Sequence, residues 1–218
     1  MASVMYNTTV LTDVHDAWVD SLMPKLSGAI LENVKQVVDE TIIELLSRSG
    51  VWRANIGPFS VIKNKQEVFI EPVYSQLVVG SVKRVWFNTT EIFPIADATS
   101  LTSITTATPL QYSVHSNDVL MLTPSPEATA SKIVTVGATL LPKRGTYIVP
   151  KFVFDKYFEG VISGALAKLY REPNRPYTDI NLSTINERKF RGAVGTARAS
   201  AETGFALAQP NWSFPKFA

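Results

Sequence analysis

The apolar residues of this chain change their spacing twice, and no single-layer fold accommodates that. From Ser27 to Gly50 the residues Ile30, Leu31, Val34, Val37, Val38, Ile42, Leu45 and Leu46 recur at steps of three and four, one face of a helix about five turns long. Gly50 is placed to end it, with Arg48 in the last turn, where a cation meets the negative end of the helix dipole. Residues 12–23 predict a shorter helix, capped by Thr12 or Asp13 and broken at Pro24. After Trp52 the apolar runs become β-branched and aromatic, at 59–62, 67–70, 77–87, 110–114, 119–122 and 132–140, with turn residues between them. Ser116-Asn117 predicts a hairpin turn, since Asn tolerates a positive φ. The Ser/Thr-rich piece from Asp97 to Pro109 has no period and predicts an irregular surface segment.

Helical spacing returns after Pro150. Phe154, Tyr157, Phe158, Val161, Ile162, Ala165, Leu166, Leu169 and Tyr170 repeat at three and four until Pro173. Gly160, Gly164 and Ala167 lie within that helix, where missing side chains let another backbone come close. A helical glycine costs up to about 1 kcal/mol relative to alanine, so a packing gain should offset it. A third helix is predicted from about Asn181 to Phe205, and Gly192, Ala193, Gly195, Thr196, Ala197, Ala199, Ser200 and Ala201 leave it few large groups to bury. Such a helix needs a partner surface. The fold class expected is therefore α+β, a helical bundle formed by N- and C-terminal helices with an inserted antiparallel β-layer, sandwich or barrel-like. The divisions are an N-terminal helical part (1–56), the β-layer (57–149), a C-terminal helical part (150–206) and an extended tail (207–218).

Chemistry is narrowed by what the chain lacks. Its 218 residues are 45% hydrophobic, enough for a core, and none is cysteine, which removes disulfides, zinc knuckles, thiolate nucleophiles and iron–sulfur ligation. His15 and His115 are 100 residues apart, outside any HExxH or clustered-ligand spacing, and are expected to be structural or solvent-exposed. Gly160-Val-Ile-Ser-Gly has its serine one place too late for a nucleophile elbow, and Gly137-Ala-Thr-Leu-Leu-Pro-Lys-Arg lacks the second glycine of a phosphate loop. These absences lead to the expectation of a protein without catalysis, cofactor or metal. The start has no basic residue ahead of an apolar core, and no run approaches the roughly 18 apolar residues of a membrane span, so a soluble protein made in a cytoplasm is expected, with no membrane partner.

Charge divides the chain. Residues 1–50 carry 3 basic and 7 acidic side chains, residues 51–142 carry 6 and 6, and residues 143–218 carry 12 and 6, for net charges of −4, 0 and +6. Either the ends pair within one molecule, or the acidic end of one copy meets the basic end of the next. Arg188, Lys189, Arg191 and Arg198 gather on the third helix and are the candidate contacts for DNA or an acidic partner. Gly192-Ala-Val-Gly195 beside them matches the GXXG of KH domains. A net charge of +2 is small for a sequence-reading domain, so a solvated basic face, or one meeting the acidic N-terminal helices, is the competing reading. Trp212, Phe214 and Phe217 stand on a proline-punctuated tail that cannot fold locally and must dock on something.

The order of parts resembles a known pattern: ELLSRSGVWR closing a helix, VYSQLVVGSVKRVWF in a strand series, LMLTPSPEATASKIVTVGATLLPKRG, then FVFDKYFEGVISGALAKLYREPNRPY and NERKFRGAVGTARASAETGF. Over residues 28–206 it is similar to the head-to-tail adaptor (connector) proteins of tailed bacteriophages. The resemblance implies a structural virion protein at the head–tail junction, forming a ring of about twelve copies, a dodecamer, below the portal. That ring would continue the DNA ejection channel to the tail. Its partners would be sister copies, the portal protein, a tail nozzle or tail tube protein, and the genomic DNA passing through. Under it, Trp212, Phe214, Phe217, Gly192, Ala193, Gly195 and Ala197 are the candidate subunit or portal interface. The alternatives are a nozzle or tail-tube component, or a nucleic-acid-binding module using the basic 188–198 helix.

Overall fold

The computed structural model describes residues 10–11, 14–72, 74–95, 106–146 and 148–203. Among these the chain is mixed α and β, with four α-helices and a seven-stranded, nearly closed, barrel-like sheet. The elements run β1 (Val10–Leu11), α1 (Val14–Leu22), α2 (Leu31–Ser49), β2 (Arg53–Val61), β3 (Glu67–Phe69), β4 (Leu77–Phe87) and β5 (Thr90–Pro94). They continue with β6 (Gln111–Ser116), β7 (Val119–Thr123), β8 (Ala130–Pro142), β9 (Val149–Pro150), α3 (Lys151–Leu169) and α4 (Ile180–Thr203). The short β1 and β9 pair with each other apart from the main sheet.

α2 forms where its apolar spacing places it, with Val34, Val37, Val38, Ile42, Leu45 and Leu46 buried. Gly50 ends it in the left-handed region, φ 59°, and donates its N–H to the Leu46 carbonyl at 2.8 Å. The eight-residue apolar face is two residues too long, however. Ile30 is the extended N-cap residue and Leu31 the first helical one, so both stand ahead of the packed turns and are exposed. α1 ends in a short 3₁₀ turn at Met23–Lys25, where Pro24 cannot continue an α-helix.

The barrel-like sheet has the order β2-β8-β4-β5-β6-β7-β3, and β2 comes close to β3 at the seam. Alternate residues point inward, among them Ile56, Val68, Val79, Val85, Ile92, Tyr112, Leu120, Leu122, Val134, Val136 and Leu140. The expected wholly antiparallel layer is corrected at one place: β5 and β6 run parallel, Phe93 opposite Gln111 and Pro94 opposite Tyr112. A parallel pair needs a long connection, and residues 95–110 supply it. β5 carries only one buried side chain, Ile92, which is why no run marks it in the sequence. The first barrel strand starts at Arg53, inside the stretch assigned to the N-terminal helices. The expected β6–β7 hairpin forms, but its turn is Asn117-Asp118, one residue beyond the expected Ser116-Asn117, and among the described residues the asparagines with positive φ are Asn64, Asn88 and Asn174.

Between the helices, α3 is the centre. Trp18 of α1 is fully buried against it, edge-on to Phe154 (5.1 Å between ring centres), stacked on Phe158 (5.9 Å), with its indole N–H donated to the Phe158 carbonyl at 3.2 Å. Gly160 and Gly164 mark the close approach that the sequence anticipates. A methyl group built on Gly160 would stand 2.7 Å from Ala193 Cβ, and one on Gly164 would stand 2.5 Å from Thr41 Cγ2 and 2.6 Å from Phe190 Cδ2. Neighbours on both α2 and α4 thus press on the same turn of α3. Asp179 caps α4, its Oδ1 accepting the N–H of Leu182 at 2.9 Å.

Candidate functional site

α4 turns two unlike sides to its surroundings. At 100° per residue, Ser183, Phe190, Val194, Ala197 and Ala201 share one side, and all are buried. Ser183 donates its hydroxyl to the Ala167 carbonyl of α3 at 2.7 Å. The partner this small-residue helix needs is therefore, on that side, its own α3. Ala197 lies wholly within the core of one copy and Ala193 sits on Gly160, which removes both from the open interface the sequence suggests.

The opposite side is open. Ile185, Gly192 and Ala199, seven residues apart, form a line away from α3, and all three are exposed. Nothing lies within 4 Å of where a side chain on Gly192 or Gly195 would begin. At the start of the helix Ile180 (61% exposed), Leu182 and Ile185 (49%) leave large apolar groups in solvent. Sequence reasoning misses these three. Their signal is that they interrupt the spacing set by Ser183, Phe190 and Val194, which marks them as facing outward.

The four basic residues are all exposed and divide by pairing. Arg191 is paired with Glu187, and Arg198 with Glu202 at 3.2 Å, both within α4. Arg171 reaches Glu187 as well, and hydrogen bonds from the two arginines hold the Glu187 carboxyl below the usual carboxylate range. Arg188 and Lys189 make no ion pair among the described residues. Lys189 lines a cleft of about 470 Å³ between α3 and α4, with Lys156, Glu159, Ser163, Ala193 and Thr196. Gly192-Ala-Val-Gly195 lies in unbroken helix, so it is not the loop that a KH domain uses to clamp a nucleic-acid backbone. Trp212, Phe214 and Phe217 lie outside the described residues.

The acidic end is partly consumed within the copy. Glu44 of α2 accepts from Lys168 at 3.0 Å and from Arg48 at 2.8 Å, and Asp39 accepts the Gly145 N–H at 2.9 Å. Asp16, Asp20 and Glu32 remain exposed and make no ion pair among the described residues. The bases of α4 do not meet the acids of α1 and α2 in this copy.

No family model matches the chain, and no curated protein resembles it in sequence.

The histidines take different places. His15 is buried, its Nε2 3.0 Å from the Lys35 carbonyl, whereas His115 is exposed on β6. Among the described residues no group of three His, Cys, Asp or Glu side chains could hold a metal ion, and no helix is long and apolar enough to cross a membrane. What the outer side of α4 offers is a surface: small residues that admit a close neighbour, apolar groups to bury, and two cations without a counterion among the described residues.

Proposed function

We propose that the chain is a structural virion protein, a head-to-tail adaptor that assembles as a ring below the portal and continues the DNA channel to the tail. The observation that carries this reading is the outer side of α4. Gly192 and Gly195 stand in open space there, near exposed Ile180, Leu182 and Ile185, with Arg188 beside them and Lys189 at the flank, on the edge of the cleft against α3. Such a surface suits a neighbouring copy, which brings Asp16, Asp20 and Glu32 to meet the two cations. A head-to-tail contact of this kind closes into a ring when its rotation divides the circle. The helices then act as a bundle that carries the contacts between copies, and the barrel projects from it. Stable neighbours need roughly 1,000 Å² or more of buried surface.

The double substitution Arg188→Glu, Lys189→Glu tests the reading. Ring assembly on the portal should be lost while the fold, followed by circular dichroism, is retained. A variant that assembles normally but loses DNA retention with a steep salt dependence would instead identify a nucleic-acid-binding module.

A further inference from the structure

A second surface stands apart from α4. Where β3 hands over to β4, a groove of about 590 Å³ opens between Ile70, Pro72 and Tyr74 on one side and Leu77 and Val79 on another, with Asp118 and Lys143 at its rim. Ile70, Leu77 and Val79 form its buried floor, and its open apolar surface comes from Tyr74 (46% exposed), with Phe69 (64%) nearby on β3. Mouths of barrels are places where a sheet leaves apolar positions uncovered.

The groove lies at the helical end of the barrel. Lys143 is two residues from Gly145, whose N–H is held by Asp39 of α2. α4 ends at that same end of the molecule: Phe190 packs on Gly164 and Ala193 on Gly160, so its C-terminus lies beside the start of α3, directly after β9. The 15 residues that follow Thr203, 204–218, can span up to about 50 Å when extended. They carry Phe205, Trp212, Phe214 and Phe217, and Lys216 is their one charged side chain. The groove rim answers with two acids, Glu71 and Asp118, against one base, Lys143.

From reach, apolar match and charge complementarity we infer that this groove is the seat of the chain's own C-terminal segment, residues 204–218, with an aromatic side chain as the anchor and Lys216 towards Glu71 and Asp118. This goes beyond the adaptor reading and does not rest on it.

The chain has no cysteine, so the contact can be trapped in the 218-residue chain itself. Two pairs are made, Ser75→Cys with Ser213→Cys and Asn117→Cys with Ser213→Cys, which keep every aromatic of the tail and of the groove. The control is Thr90→Cys with Ser213→Cys, at the far end of the 11-residue β4. Positions 75, 90 and 117 are exposed, so the fold should survive each change. After mild oxidation with diamide, the groove pairs should form disulfide at least tenfold more completely than the control. The mass of the product tells whether the link is within one chain, which supports the seat, or only between copies, which would overturn it and give the groove to a sister copy. Equal yields from groove and control pairs, or no disulfide from either groove pair while the thiols remain titratable, would overturn it and give the groove to another molecule.

Discussion

Replacing Gly164 by alanine tests the packing that joins three helices. Two effects oppose each other. Alanine removes a helix-propensity cost of up to about 1 kcal/mol, which favours the variant. Against this, the new methyl carbon would lie 2.5 Å from Thr41 Cγ2 and 2.6 Å from Phe190 Cδ2, where carbon atoms prefer about 3.5–4.0 Å. Both contacts must open by about 1 Å, on opposite elements, so no movement of a single helix relieves them. Overpacking of this kind costs about 1–3 kcal/mol and here falls at the upper end, since Thr41 is buried and Phe190 is held between α3 and α4. The net expectation is a loss of about 1–2 kcal/mol. In urea, with m near 2 kcal/mol/M, the midpoint should fall by roughly 0.5–1 M. Gly192→Ala is the control in the same helical layer: with nothing within 4 Å of the new methyl, stability should rise by up to about 1 kcal/mol. A midpoint for Gly164→Ala equal to or above that of the parent protein would refute the close approach of α2, α3 and α4.

The remaining predictions concern pH, capping and a buried hydroxyl. Burial holds the His15 imidazole below its ordinary value near 6.5, against the opposing hydrogen bond to the Lys35 carbonyl and the nearby Asp39 and Asp16. The unfolded chain then binds the extra proton more readily, so stability is complete above about pH 6.5 and declines as pH falls through that value. His15→Gln should flatten the slope between pH 7 and 5 in thermal melts; an unchanged slope would assign it to other groups. Asp179→Ala removes the cap of α4 and should lower stability by about 1 kcal/mol in urea titrations, with Asp179→Asn retaining most of it. Ser183→Ala deletes the bond to the Ala167 carbonyl and should cost about 1 kcal/mol by the same measurement.

Much of the helical part is legible in the sequence because a buried helix face writes itself as a spacing of three and four. Val34 to Leu46 and Val161 to Leu169 are read correctly for that reason, and Gly160 and Gly164 announce close contact by their places within a helical run. Ile30 and Leu31 fit the same spacing but precede the packed turns, and periodicity cannot distinguish a residue that continues a face from one that overhangs it. The barrel is less legible. Its longer strands stand out, but β5 buries a single residue, and its parallel pairing with β6 depends on a distant connection rather than on local pattern. On α4 the small residues are visible, yet composition alone does not separate Ala193 and Ala197, which press on α3, from Gly192 and Gly195, which face outward. That division comes from the register of two helices. The exposed trio Ile180, Leu182 and Ile185 becomes recognisable once Ser183 and Phe190 are known to point inward.

The claim at the centre is that the open side of α4 is covered by a sister copy on the portal. Negative-stain images of the 218-residue chain with and without a candidate portal protein measure this most directly. The account predicts closed rings seated on the portal, lost when Gly192 and Gly195 are both replaced by bulky leucine. Portals that stay bare in the presence of folded protein, or rings that form unchanged with both leucines in place, would contradict it.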